Sequence, residues 1–131
     1  SRTSCNSYVN SPASLTPHLS LRDDPQLLFA GQITGVEGYT ESTATGIMAA
    51  WNLDRMLRGL EPVVPPPTTM LGALYRYLRE ADPRHFQPMN TNFGLFPPLA
   101  QSPRDKDKKR QLIAQRARED FEKWMMQSAL S

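Results

Sequence analysis

The chain has 131 residues, twelve prolines and a mean hydropathy of −0.51, which leaves limited material for a self-sufficient core. A formal charge of +2 is too small to imply a polyanionic partner by itself, and the absence of a long apolar run argues against a transmembrane helix. The sequence opens Ser1-Arg2-Thr3-Ser4 without an initiator Met, signal peptide or targeting pattern, so the C-terminal part of a longer cytosolic protein is expected.

Residues 1–18 are polar and rich in turn formers. Tyr8 to Pro12 reads as a short extended piece, because a proline disfavours helix in the residue before it. Leu19-Ser20-Leu21-Arg22 alternates as a half-buried strand does, and Asp23-Asp24-Pro25 signals a turn. Gln26 to Ala30 is apolar enough for a strand buried on both faces, paired with the first as a hairpin. Gly31, Gly35 and Gly38 follow as a glycine turn. A helix is expected from Thr40 or Glu41 to Arg58, with Ala44, Ile47, Met48 and Trp51 facing the core and Gly59 as its cap. Glu61 to Pro67, EPVVPPP, is a stiff connector. Thr68 or Thr69 caps a second helix to about Ala81, with Leu71, Leu74, Tyr75 and Leu78 as its stripe. Residues 82–103 lack periodicity but are rich in aromatic, Asn, Gly and Pro residues, which marks an ordered loop that is functional or docked on a larger body. A third helix, Asp105 to Ala129, aligns Ile113, Ala117, Phe121, Trp124 and Met125 in a stripe expected to pack on a parent protein.

The turn carries the chemistry. Glycines let backbone approach a ligand closely, and the helix start behind them offers unpaired N–H groups and a positive dipole to an electron-rich group. No Gly-Lys-Ser/Thr follows, so this is not a phosphate loop of nucleotide hydrolases. Nor is it the first dinucleotide fingerprint, because the acidic residue some twenty positions on, Glu61, stands at a proline-rich connector rather than a strand. A flavin ring edge, where reduction places negative charge, suits such a helix end. Glu41 has an ordinary role as a first-turn acid and Glu37 as a solvated side chain; Tyr39 either stacks on a ring or packs.

All four lysines fall in the last quarter, with Arg104, Arg110, Arg116 and Arg118. Interleaved Asp105, Asp107, Glu119, Asp120 and Glu122 make a locally paired, solvated helix face the ordinary expectation. The competing reading is a phosphate-contacting patch at Lys108-Lys109-Arg110. The single cysteine, Cys5, excludes an intrachain disulfide, and with only His18 and His85 as possible imidazole partners no metal site is expected. Cys5 has no base nearby in sequence, so no catalytic role is assigned to it.

The segment FAGQITGVEGYTESTATG resembles the C-terminal FAD-contacting segment of the folate- and FAD-dependent tRNA uracil-5-methyltransferases, the TrmFO (Gid) family, and is similar to that of the sibling GidA/MnmG wobble-uridine modification enzymes. Pro62-Val63-Val64-Pro65-Pro66, Met70-Leu71-Gly72-Ala73-Leu74 and the Phe86 to Leu99 block resemble the methyltransferases in order. Asn6-Ser7-Tyr8-Val9-Asn10-Ser11-Pro12 is similar to their Arg-Asn-Thr-Tyr-Ile-Asn-Ser-Pro motif, with Ser4 and Cys5 where that family usually has His and Arg. The resemblance implies an α/β parent fold, FAD-binding, Rossmann-like and glutathione-reductase-like. This chain is then its C-terminal part, a short strand pair followed by three helices. Residues 1–60 become the last segment of the FAD domain, 61–103 a connector, helix and ordered loop, and 104–131 a charged helix.

By the same resemblance the parent is a cytoplasmic flavoprotein that forms 5-methyluridine in the tRNA T-loop, using methylenetetrahydrofolate for carbon and NAD(P)H to reduce FAD. The cofactor contacts carry over to Gly31, Gln32, Gly35, Glu37, Gly38, Tyr39, Glu41 and Ser42, mostly through backbone groups. The tRNA and the N-terminal remainder of the protein are the implied partners, the catalytic cysteines lie in that remainder, and the isolated chain is expected to be inactive. Wobble-uridine modification and a non-catalytic RNA-binding piece are the alternatives.

Overall fold

The computed structural model describes residues 7–129; the readings placed on Ser4, Cys5 and Asn6 lie outside it. A one-turn helix, α1 (Ser11–Ser14), replaces the extended piece expected at Tyr8–Pro12. Pro12 sits in the first turn, where backbone N–H groups have no helical partner to lose, and the Ser14 and Leu15 amides close the turn onto the carbonyls of Asn10 and Ser11 at 2.9 and 3.0 Å.

Strands β1 (Ser20–Leu21) and β2 (Asp24–Leu28) pair antiparallel, with Ser20 opposite Leu28 and Leu21 opposite Asp24. The hairpin is therefore present, but the turn comes one residue early and Pro25 lies inside β2. That is tolerated because a two-stranded sheet has only edges. The expectation that this strand is buried on both faces is corrected: Asp24 to Leu27 are exposed, since no described element covers them.

Beyond β2 a single 3-10 turn, Gly31–Thr34, leads to α2 (Tyr39–Leu57). The helix ends in a Schellman arrangement: the Gly59 amide donates to the Met56 carbonyl at 3.0 Å and the Leu60 amide to that of Arg55 at 2.8 Å, with Gly59 at φ +75°. The inward face of α2 differs from the apolar stripe expected. Thr45, Met48, Asn52 and Arg55 are buried, whereas Ile47 is 65% exposed. Three of the four buried residues are polar, and each has a backbone partner. Asn52 grips Val63 at both ends, its amide donating to the carbonyl at 2.9 Å and its oxygen accepting the N–H at 2.7 Å. Arg55 Nε donates to the Glu61 carbonyl at 2.7 Å. Side chains of α2 thus hold the proline-rich connector in place.

Helix α3 (Met70–Glu80) starts at Thr69, whose hydroxyl accepts the Gly72 amide at 3.0 Å. Leu74, Tyr75 and Leu78 are fully buried, as their spacing predicts. Gly72 lies so close to the Pro66 carbonyl that any Cβ would overlap it. The main core joins Leu15, Leu19, Val36, Met48, Leu74, Tyr75, Leu78 and Phe86.

The loop after α3 is ordered by two capped 3-10 turns. Asp82 accepts the Arg84 amide at 3.0 Å to cap Pro83–His85, and Asn92 accepts the Gly94 amide at 2.9 Å to cap Phe93–Leu95. Tyr77 and Arg76 of α3 reach across to the carbonyls of Gln87 and Leu95 at 2.7 and 3.0 Å.

Helix α4 (Lys106–Ala129) packs along its length within this chain. Ile113 is buried with Ala73 and Phe96, and Trp124 meets Trp51 edge-to-face at 5.5 Å between ring centroids. Arg116 turns inward and donates to the carbonyls of Pro97 and Pro98 at 2.6 and 3.1 Å. The remainder of the expected stripe, Phe121 and Met125, is exposed. No described helix is long and apolar enough to cross a membrane.

Candidate functional site

The glycine turn is braced by three segments. From the N-terminal side, the Val9 amide donates to the Ile33 carbonyl at 2.7 Å and the buried Ser11 hydroxyl to that of Thr34. From α2, Thr45 accepts the Gly31 amide at 2.8 Å and donates to the Ser42 carbonyl at 2.9 Å. From the 82–103 loop, Val36 forms a parallel bridge with Met89: the Glu37 amide donates to the Met89 carbonyl and the Met89 amide to that of Gly35, both at 2.8 Å. Gly31, Gly35 and Gly38 all have positive φ, at +77°, +96° and +102°.

Gly38 stands at the N-cap of α2, where no side chain caps the helix. The amide of Ser42 is the first to reach back, to the Gly38 carbonyl at 3.0 Å. The Tyr39 and Thr40 amides are left without helical partners, with the positive end of the dipole behind them, while the Glu41 amide is met by its own carboxylate. Gln32, Gly38, Tyr39 and Ser42 surround one open hollow there, with Tyr39 standing 91% exposed at its rim. Gln32 and Glu37 also border a narrow cleft with Tyr8, Val36 and Pro88. The arrangement suits a planar, electron-rich group laid against the helix start.

Two of the residues singled out in the sequence are engaged within the fold. Gly35 is buried, and a Cβ on it would collide with the Phe86 ring. The Glu41 carboxylate lies against Gly38, and one of its oxygens accepts both the amide and the hydroxyl of Thr91 at 3.1 Å. The Thr91 amide holds the Glu41 carboxyl below its usual range, opposed by partial desolvation and assisted by Glu41's own backbone amide and the Thr91 hydroxyl. Glu41 is therefore a tie between helix and loop.

The sign of its pH dependence follows. A carboxyl that is a stronger acid when folded contributes fully above its unfolded value of about 4.3, and the contribution is lost as pH falls through the lower folded value. In urea titrations the stability advantage of wild type over Glu41→Gln is expected to stay level above about pH 5 and to shrink below about pH 4. A constant difference down to acid pH would show that the tie does not depend on charge.

Thr45, Met89 and Thr91 escaped sequence reasoning. Only their neighbourhood carried a signal, the Asn-Thr-Asn-Phe-Gly block for Thr91. Lys108, Lys109 and Arg110 lie far along the chain from the hollow, on the exposed first turns of α4. The local pairing expected of that helix is corrected, because no ion pair joins two α4 residues among those described. Likewise, no three described His, Asp or Glu residues converge as metal ligands.

The hairpin, glycine turn and α2 coincide with the region matched by a family model, glucose inhibited division protein A, over residues 3–61. This part of the chain is similar to the GidA family. Similarity to individual proteins runs further. The methylenetetrahydrofolate–tRNA-(uracil-5-)-methyltransferase TrmFO of Geobacter sulfurreducens is 49% identical over 92% of this chain, and that of Persephonella marina 54% over 89%. The same enzyme of Heliobacterium modesticaldum is 46% identical over 95%, which carries the likeness through α3 and the Phe86–Leu99 block. Over about nine-tenths of its length the chain matches TrmFO enzymes, and over residues 3–61 the GidA model. It spans 27–28% of the length of these relatives.

Proposed function

We propose that this chain forms one wall of the FAD site in a TrmFO-type enzyme, which methylates uracil-5 in the tRNA T-loop with carbon from methylenetetrahydrofolate. The observation that carries this reading is identity near one half sustained over nine-tenths of the chain. The Rossmann-like, glutathione-reductase-like parent fold, the cytoplasmic setting and NAD(P)H as reductant belong to the same proposal.

The residues fit a flavin. The Tyr39 and Thr40 amides at the start of α2, the Gln32 amide and the Ser42 hydroxyl form a donor set, and of the two nearby carboxylates Glu41 is engaged by Thr91 while Glu37 borders the adjoining cleft. When bound, FAD supplies the electrons that reduce the transferred carbon to a methyl group. This chain's residues would orient its ring: helix amides and Ser42 beside the electron-rich edge, Tyr39 over the rim. The apolar surface left open on α2, with Ile47 65% and Leu57 79% exposed, supports contact with the rest of the longer protein.

The test is a full-length protein containing this chain. It is expected to copurify with FAD and to methylate T-loop uridine when given methylenetetrahydrofolate and NAD(P)H, whereas the 131-residue chain alone holds no FAD. A colourless, inactive full-length protein overturns the reading. The match to the GidA model favours a second reading, wobble-uridine modification, and mapping the modified nucleotide separates the two.

A further inference from the structure

We propose that the groove between the first turns of α4 and the Phe93–Leu95 turn grips the sugar–phosphate backbone of the RNA substrate, an assignment that rests on the tRNA reading above. The groove is lined by Lys106, Lys109, Arg110, Phe93 and Gly94, with Ile113 buried at its floor. Positions 106, 109, 110 and 113 follow i, i+3, i+4, i+7 spacing, so one helix face presents three cations together. Lys108 is on another face and is not part of the lining.

Three observations favour a polyanion there. Residues 104–118 hold seven basic and two acidic residues, and of the seven only Arg116 is spent inside the fold, on the carbonyls of Pro97 and Pro98. Among the described residues no carboxylate pairs with Lys106, Lys109 or Arg110, so their charge is not neutralised in place. Neither Asp105 nor Asp107 lines the groove; the Asp105 carboxylate is occupied in accepting the Asp107 amide at 3.0 Å.

Arg110 is also held in position. Its guanidinium lies 5.7 Å from the centroid of the Phe93 ring, and that ring is fixed by the Asn92-capped turn and by Phe96 at 5.8 Å. A cation held against an aromatic face loses less freedom on binding, and its planar fork matches a phosphate. A lone exposed lysine, such as Lys108, has no such support.

The test compares full-length wild type with the double variant Lys106→Ala, Lys109→Ala, using filter binding of an in vitro transcribed tRNA at about 50 and 200 mM salt. Two lost phosphate contacts are expected to weaken binding about tenfold at the lower salt and to reduce the log–log salt slope by about 2. KM for tRNA should rise while kcat and KM for the folate hold. Lys108→Ala should change none of these.

An unchanged Kd and slope in the double variant overturns the proposal, with a lowered Tm then assigning the groove to contacts inside the longer protein. An equal loss in Lys108→Ala also overturns it, because the effect would then be diffuse charge. The two readings fail separately. A wild type that methylates tRNA alongside a double variant that binds normally removes only the groove. A wild type that binds with this salt dependence yet methylates nothing removes only the enzyme.

Discussion

Gly35→Ala is expected to destabilise the protein by about 2–5 kcal/mol, combining the cost of a side chain in the left-handed region with that of overpacking. At φ +96° the new methyl would be aimed at the Phe86 ring. Phe86 cannot step aside, because Tyr8 and Tyr77 hold it with ring centroids at 5.8 Å on either contact. The turn must shift instead, and the Met89 amide that donates to the Gly35 carbonyl shifts with it. The hollow at the start of α2 is only a few residues further on, so the full-length variant is expected to purify with less flavin as well as to unfold at lower urea. Absorbance of the purified protein and a urea titration check both. A wild-type midpoint would show that the turn absorbs the methyl without strain.

Asn52→Ala is expected to cost about 2–3 kcal/mol, since it leaves two partly buried backbone groups without partners. Both the N–H and the carbonyl of Val63 lose their side-chain partner at once. Asn52→Asp should not rescue the loss: a carboxylate still accepts the N–H but turns a second oxygen on the Val63 carbonyl. Urea midpoints of the two variants test this, and an Asp variant as stable as wild type would refute the two-ended grip.

Elements with strong local signals were legible in the sequence. Thr69 caps α3 and Leu74, Tyr75 and Leu78 face inward because apolar periodicity and capping act over a few residues. Gly59 ends α2 for the same reason. The buried face of α2 was not legible. Thr45, Asn52 and Arg55 look like surface residues until their partners at Gly31, Val63 and Glu61 are in place. Likewise β2 looks fully buried by composition, yet it lies at the edge of a two-stranded sheet. At the candidate site, the sequence marked the glycines and the helix start. It missed that Glu41 is engaged by Thr91, fifty positions away, because tertiary hydrogen bonds leave no periodic trace.

The proline-rich connector has a consequence for chain length. Val63 is fastened to α2 by Asn52, and the Pro66 carbonyl sits in the notch that Gly72 leaves open on α3. Only Val64 and Pro65 separate these two anchor points, and proline gives them little freedom to pucker. The segment behaves as a spacer without slack that sets the distance and angle between α2 and α3. One residue inserted between positions 63 and 66 must release an anchor, so the count of residues here is constrained as tightly as the shape of a core side chain.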